Sequence, residues 1–437
     1  MLFVQNAYYN VNTSNVIVRY DGVYNVYGGK EMRKLLALVV TATLCFGLVA
    51  CGGTETPSAA TDKTTVEKTE STQTAPETAP ETDTEKRLKI GYTFWDLPMA
   101  GICIDGANQI KLAAEALGVD VIFNPDTSNL TAEGIVTAVE NFAAEGVDGI
   151  IVVNFSEASM INIGKTCAEY EIPFIQATRT IEDEAIAKQL EGNEYYVGRV
   201  HEDEYAAAYD LGKKLAETGA KNVCLVSSMH GDTAYETRAQ AYRDACKDFG
   251  MNLVIEQWDL PDDASATETI VNVLNAYPEI DGILTVKCNF VPFIVAAEEA
   301  VGITDWLPIA GVDFDITLGE NIEKGQITAV AGGHHADATF ALITLVNAIN
   351  GAYDTADYPI DITNNMMTIS GIEEYQNYCK WCIGYDEDFY NRQVLYADEI
   401  KNLSVVFNPN ATVDDIKKAA GSMSLEDVMT RHAGLVE

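Results

Sequence analysis

From residue 88 to about residue 370, short runs of aliphatic and β-branched residues alternate with longer stretches in which apolar side chains recur every three or four positions. The runs have the length and composition of strands, and the stretches have the period of amphipathic helices. The pattern predicts strands at 88–94, 119–124, 149–154 and 173–177, with helices at 102–117, 132–145 and 158–170 between them. It then restarts, with helix 203–217, strand 222–227, helix 233–249, strand 252–256, helix 266–276, strand 282–286, helix 291–301 and strand 307–311. Strand 328–331, helix 336–350 and strand 366–369 follow; past residue 384 the chain is acidic and weakly periodic apart from a helix at 413–420. Strands joined by such crossovers run parallel in one sheet. Two successive sets predict an α/β protein of two Rossmann-like lobes.

Upstream the pattern changes. Met32-Arg33-Lys34, the apolar run 35–49 and the small residues before Cys51 have the basic, hydrophobic and cleavage parts of a secretory signal at 32–50. The run falls short of the ~20 apolar residues that span a membrane, although a plain secretory signal or a short anchor is the alternative reading. Leu48-Val49-Ala50-Cys51 resembles the lipobox of bacterial lipoproteins, which implies a Cys51 that is diacylated and tethers the protein to the outer face of a membrane. Residues 51–86, rich in Thr, Glu and Pro, bury too little to fold and are expected to be a disordered tether. Residues 1–31 match no targeting segment. Gly28-Gly29-Lys30-Glu31 reads like a translated ribosome-binding site, so translation is expected to begin at Met32.

Charge and cysteine content narrow the function. The net charge of −38 falls to −40 once residues 1–50 are set aside, and so acidic a surface offers no stripe of cations to phosphate backbones, which argues against nucleic acid. Seven of the nine cysteines lie beyond the signal. Their scattered spacing is not a disulfide framework; Cys103, Cys167, Cys224, Cys246 and Cys288 read as small buried apolar groups. Cys379-Lys380-Trp381-Cys382 is a lone CxxC, structural or incidental unless its thiols exchange. No GxGxxG, GxxxxGK[ST], GxSxG or HExxH occurs, and the 313–317 stretch fails as a calcium loop because Leu318 stands where glycine is needed. With five histidines, nothing points to a metal, a cofactor or an enzyme.

Polar and aromatic residues do recur just past the predicted strands, where open α/β sheets bind ligands: Phe94, Trp95, Asn154, Thr178, Arg179, Lys287, Cys288, Asn289 and Asp313. At this point the chain resembles the type I periplasmic binding proteins, the ribose- and galactose-binding receptors of ABC transporters. The resemblance is carried by Lys89-Ile90-Gly91, Asp105-Gly106-Ala107, the run 146–154, Ile172-Pro173-Phe174-Ile175, Arg238, Asp281-Gly282-Ile283-Leu284, Ala310-Gly311-Val312-Asp313 and Gly325-Gln326-Ile327-Thr328-Ala329. It implies two lobes joined by three crossings, expected at 195–199, 330–334 and 360–367, that close on a ligand. The lobes are expected as 87–197 plus 334–362, and 198–333 plus 363–437 with an acidic C-terminal extension.

The family pattern makes Asn154, Arg179 and Asp313 polar ligand contacts. It departs at Thr178, where an Asp usually pairs with the Arg, at Met99-Ala100 for stacking aromatics, at Glu236 for an Arg, at Lys287 for an Asn and at Gly333 for a Gln. Phe94 and Trp95 are candidates to restore the stacking surface, and His334 and His335 to line the cleft. Glu236 and Lys287 are candidate contacts that would otherwise pair with each other. The expectation is a monomeric, lipid-anchored, extracytoplasmic receptor for a sugar-like solute, serving a membrane permease and its ATPase. The alternatives are a sensory receptor that presents ligand to a kinase or chemoreceptor, and a surface thiol oxidoreductase using Cys379 and Cys382.

Overall fold

The computed structural model describes residues 7–11, 15–20, 23–28, 87–94, 101–125, 131–261, 264–314, 318–383 and 393–434. The signal expected at 32–50, Cys51, the tether expected at 51–86 and Trp95 lie outside these residues. Strands β1 (Ala7–Val11), β2 (Asn15–Tyr20) and β3 (Val23–Gly28) form an antiparallel meander in a unit of its own.

The rest of the chain holds two six-stranded sheets. The first has the order β14-β8-β7-β6-β4-β5 and every pair in it is parallel. Its strands are β4 (Lys89–Tyr92), β5 (Asp120–Phe123), β6 (Gly149–Val152), β7 (Phe174–Ala177), β8 (Tyr196–Glu202) and β14 (Ile360–Asn364). β6 and β7 are buried along their whole length, as parallel strands covered on both faces must be. Helices α1 (Gly101–Leu117), α2 (Ala132–Glu145), α3 (Ser159–Glu169) and α4 (Glu184–Glu191) connect β4 to β8 in turn. Thr131 caps the start of α2 by accepting from the Gly134 N–H, and Gly146 ends it in the left-handed conformation.

The second sheet has the order β10-β9-β11-β12-β13-β15, with only β15 antiparallel. The chain enters it through α5 (Glu204–Glu217) and runs β9 (Asn222–Val226), α6 (Thr233–Phe249), β10 (Asn252–Gln257), α7 (Ser265–Ala276), β11 (Gly282–Thr285), α8 (Val291–Val301), β12 (Ile309–Val312), α9 (Leu318–Glu323) and β13 (Ala329–Gly332). Helix α10 (Asp337–Ile349) returns to cover the first sheet, and β15 (Met367–Ile369) returns to the second.

The first crossing lies at 202–204 rather than at 195–199, because 196–202 is a strand of the first sheet. Gly198 makes that strand possible: its φ is +146°, and a Cβ there would run into the Ile360 carbonyl oxygen of β14. The second and third crossings occupy 333–336 and 365–366, between β13 and α10 and between β14 and β15. The boundaries expected at 197/198 and 362/363 therefore fall inside β8 and β14.

The C-terminal residues, expected wholly with the second lobe, divide between the two. Helix α11 (Ile372–Trp381) packs on α9, whereas α12 (Ala397–Asn402) packs on α1, α13 (Val413–Gly421) on β14, and α14 (Leu425–His432) back on α11. Buried amides of the first lobe decide this. Gln109 exchanges hydrogen bonds of 3.2 and 3.3 Å with Leu395, and Asn347 bonds Leu403 O and Val405 N at 2.9 Å each. Without the tail those amides would be buried and unsatisfied.

One buried acid makes the fold sensitive to pH. Burial in α8 pushes the Glu298 carboxyl up to about 7, with the Leu307 backbone only partly offsetting it. In the unfolded chain this group ionises near its ordinary value, so the folded state binds the extra proton and stability falls as pH rises from about 4.5 through 7. Glu298→Gln should reduce the drop in melting temperature between pH 5 and pH 8 relative to the parent, as differential scanning fluorimetry would show.

Candidate functional site

The parallel strands of both sheets direct their C-terminal ends toward the crossings, and most of the expected site residues follow those ends. Asn154 follows β6 and is buried; its Oδ1 accepts from Gln176 Nε2 at 2.7 Å and its Nδ2 donates to Ser156 O at 3.1 Å. The Tyr196 hydroxyl donates in turn to Gln176 Oε1 at 3.2 Å, so the Asn154 amide is oriented from behind. Phe94, after β4, is half-buried with its ring 6.1 Å from that of Tyr92.

Arg179 follows β7. Its Nη1 donates to Thr178 O at 3.0 Å and its Nη2 to Asp232 Oδ2 at 3.2 Å, while Nε is buried without a hydrogen-bond partner among the described residues. Asp232 belongs to the other lobe, where Oδ1 caps α6 by accepting from Ala234 N and Tyr235 N at 3.0 and 3.3 Å. The Arg179 and Asp232 side chains are 11% and 2% exposed, so the ion pair that joins the lobes is shielded from water. Asp232 was not among the sequence candidates. An Asp preceding Thr233 at a helix start was the only signal available, and it indicates a cap equally well.

In the second lobe Arg238 is the hub. Nε and Nη2 grip Glu204 at 2.6 and 2.8 Å, Nη1 donates to Val286 O at 2.8 Å and lies 3.6 Å from Asp313 Oδ2, and Nη2 donates to His334 Nε2 at 2.8 Å. That contact makes Nε2 an acceptor, so in this arrangement the ring carries its proton on Nδ1, 3.5 Å from Asp313 Oδ1, although the carboxylates around His334 favour its charged form against burial. Burial would raise the Glu204 acid, but the Arg238 guanidinium outweighs it, and the acid is held to about 2. Glu202, Glu204 and His334 place three possible metal-ligand atoms within 4.8 Å of one another. The guanidinium of Arg238, in contact with two of those groups, already fills the position of a cation.

The other candidates are less uniform. Lys287 is buried, with Nζ 4.7 Å from the Phe290 ring centroid and 5.7 Å from that of Tyr235. Asn289 is half-buried in the short turn 288–290. Glu236 does not reach Lys287; its Oε1 accepts from His230 Nδ1 and Gly231 N at 2.9 and 3.2 Å. The side chain of His335 lies outside the described residues. Cys382 is buried with Sγ 4.0 Å from Met367 Sδ, and both CxxC cysteines sit at the C-terminal end of α11, where the helix dipole does not favour a thiolate.

Backbone strain marks the same region. Thr178 and Asp313, at the ends of β7 and β12, have φ of +69° and +78°. A β-branched residue in that region is a costly outlier, and such strain collects at binding sites. Two surface cavities lie elsewhere, one of about 260 Å3 between α3 and α4 and one of about 770 Å3 between α11 and α14. Neither includes a strand-end residue named above.

Residues 100–352 match a family model described as the periplasmic binding protein domain. Among solved structures, the chain is similar to a periplasmic solute-binding protein of an ABC transporter from Actinobacillus succinogenes with bound D-allose, at 20% identity and a TM-score of 0.60 over 67% of this chain and 100% of that one. It is similar also to a solute-binding protein from Bacillus halodurans with bound myo-inositol, at 20% identity and a TM-score of 0.56 over 68% and 99%. A glucose-galactose binding protein from Geobacillus stearothermophilus matches at 18% identity and a TM-score of 0.56 over 65% and 98%.

Truncating one member of a buried ion pair strands the other, which typically costs about 3–5 kcal/mol, whereas replacing both with apolar groups costs far less. Glu204→Ala should therefore lower the urea midpoint strongly, and adding Arg238→Met should recover much of that loss.

Proposed function

The chain belongs to the periplasmic-binding-protein family, and from that premise we propose that it is an extracytoplasmic receptor for a sugar or cyclic polyol, bound without catalysis between its two lobes. The observation that carries the reading is Arg179: a largely buried guanidinium at a strand end, facing the opposite lobe, with one N–H that has no partner among the described residues. A hydroxylated ligand entering there would supply the missing acceptor, and charged groups are strong partners for hydroxyls. Asn154, with its amide oriented by Gln176, and Asp313, held on a strained backbone beside Arg238, would take further hydroxyls. Lys287 and Asn289 would complete the second wall, and Phe94, with Trp95 next to it, the apolar one.

The two-lobe architecture supports binding by closure, in which the ligand stabilises the closed form by its higher affinity for that form. The proteins of like fold that hold D-allose and myo-inositol favour a polyhydroxylated ligand. Delivery to a transmembrane permease driven by an ATPase is the use that the ABC-transporter relatives suggest. The signal at 32–50 supports export, and a diacylated Cys51 would supply two acyl chains, enough for stable membrane residence without oligomerisation.

A thermal-shift screen tests the reading, using neutral hexoses, pentoses, inositols, sugar acids, nucleosides and amino acids. A ligand at 100 times its dissociation constant should add about 2.7 kcal/mol of stability. A shift with a sugar or inositol that Arg179→Ala abolishes is the expected result. A response confined to nucleosides or amino acids would replace the ligand class, and a shift untouched by Arg179→Ala would remove the proposed site.

A further inference from the structure

We propose that Glu236 is a positioning residue: it holds the loop before α6 so that Asp232 meets Arg179 across the cleft, and the lobes close through that pair before any ligand enters. Glu236 lies in the first turn of α6, and its carboxylate reaches back over the helix start to accept from Gly231 N and His230 Nδ1 at 3.2 and 2.9 Å. The His230 ring is stacked on Trp258 at 4.1 Å and 13°. Trp258 Nε1 donates to Glu256 at 3.0 Å, and Glu256 is gripped by Arg243 through two contacts of 2.7 Å. The loop is thus fixed to the body of the second lobe from two sides, and Asp232 is the next residue along.

The consequence for closure follows from where the charges stand. The residue before Arg179 is Thr178, so the chain supplies no carboxylate beside it in sequence, and the carboxylate that Arg179 meets comes from the other lobe. Opening the cleft separates the two charges, and closing it restores a shielded pair whose geometry depends on where the loop sets Asp232. Glu236 acts on the cleft only through that loop; its significance as a gate rests on reading this edge as the ligand site.

The test uses the full chain with no added ligand, so a failed ligand screen would remove the receptor reading without touching this one. Hydrogen exchange over 228–232 and the radius of gyration from solution scattering are compared for the parent, Glu236→Ala, Glu236→Gln and Asp232→Asn. Glu236→Ala should speed exchange at Gly231 about fivefold or more, as loss of one net hydrogen bond allows, and enlarge the particle at an unchanged melting temperature. Glu236→Gln, which keeps an acceptor, should restore both to parent values. Asp232→Asn should enlarge the particle while leaving Gly231 protected. The proposal is overturned if Glu236→Ala leaves the radius of gyration at the parent value, or if Asp232→Asn does.

Discussion

A guanidinium cannot be buried alone, and the burial of Arg238 constrains much of this molecule. At 2% exposure it must be surrounded by acceptors, and the chain brings them from separate places. Glu204 stands at the first crossing, Val286 O just after β11, Asp313 after β12, and His334 at the second crossing. One side chain on α6 thereby sets the relative positions of two strand ends and two of the three segments that join the lobes. The cost of burying the charge is met only when all of them are in register.

The third crossing is joined to the same region by a second polar cluster. Asn364 Nδ2 donates to Asp337 Oδ1 at 2.9 Å and to Gly333 O at 3.3 Å, which links the end of β14 to the second crossing. Burial, and then the neighbouring Asp337, holds the Glu202 carboxyl well above its ordinary range, while burial lifts Asp337 to about 7. Two such acids side by side hold a proton rather than two charges. A motion at these crossings is therefore a rearrangement of discrete polar contacts, the kind of element that switches between defined states. The strained residues Thr178 and Asp313 sit at the edge of this region, one on each lobe.

Much of the architecture was legible as periodicity. The helices at 132–145, 233–249 and 291–301 appear over the expected residues, because an apolar stripe of period 3.6 has one way to bury itself and clear stops, such as Gly146 and Gly250, end it. β8 was missed for the opposite reason. Its Arg199 and His201 are charged or polar residues that Asp361 of β14 satisfies across the sheet, so the strand carries no apolar run, and its glycine is explained only by the approach of Ile360. Helices α9, α11, α12 and α14 were invisible because packing partners distant in sequence, about 50 residues away for α9, α11 and α14 and nearly 300 for α12, rather than local pattern, select them. The C-terminal tail shows the same effect, since Gln109 and Asn347 reveal nothing in sequence about which backbone will satisfy them.

The site divides along the same line. Local order determined that polar residues would stand at the ends of parallel strands, since a βα unit exposes those ends whatever its partners; Asn154, Arg179, Lys287 and Asp313 were accessible to that reasoning. Which charges meet was decided by the tertiary structure alone. Arg179 and Asp232 are 53 residues apart and on different lobes, Glu236 turns away from Lys287 toward His230, and Arg238 draws Glu204 and His334 together. A sequence specifies each residue's type and the period of its element, which are local properties. Electrostatic pairing depends on distance in space, and that distance exists only once both sheets and all three crossings are in place.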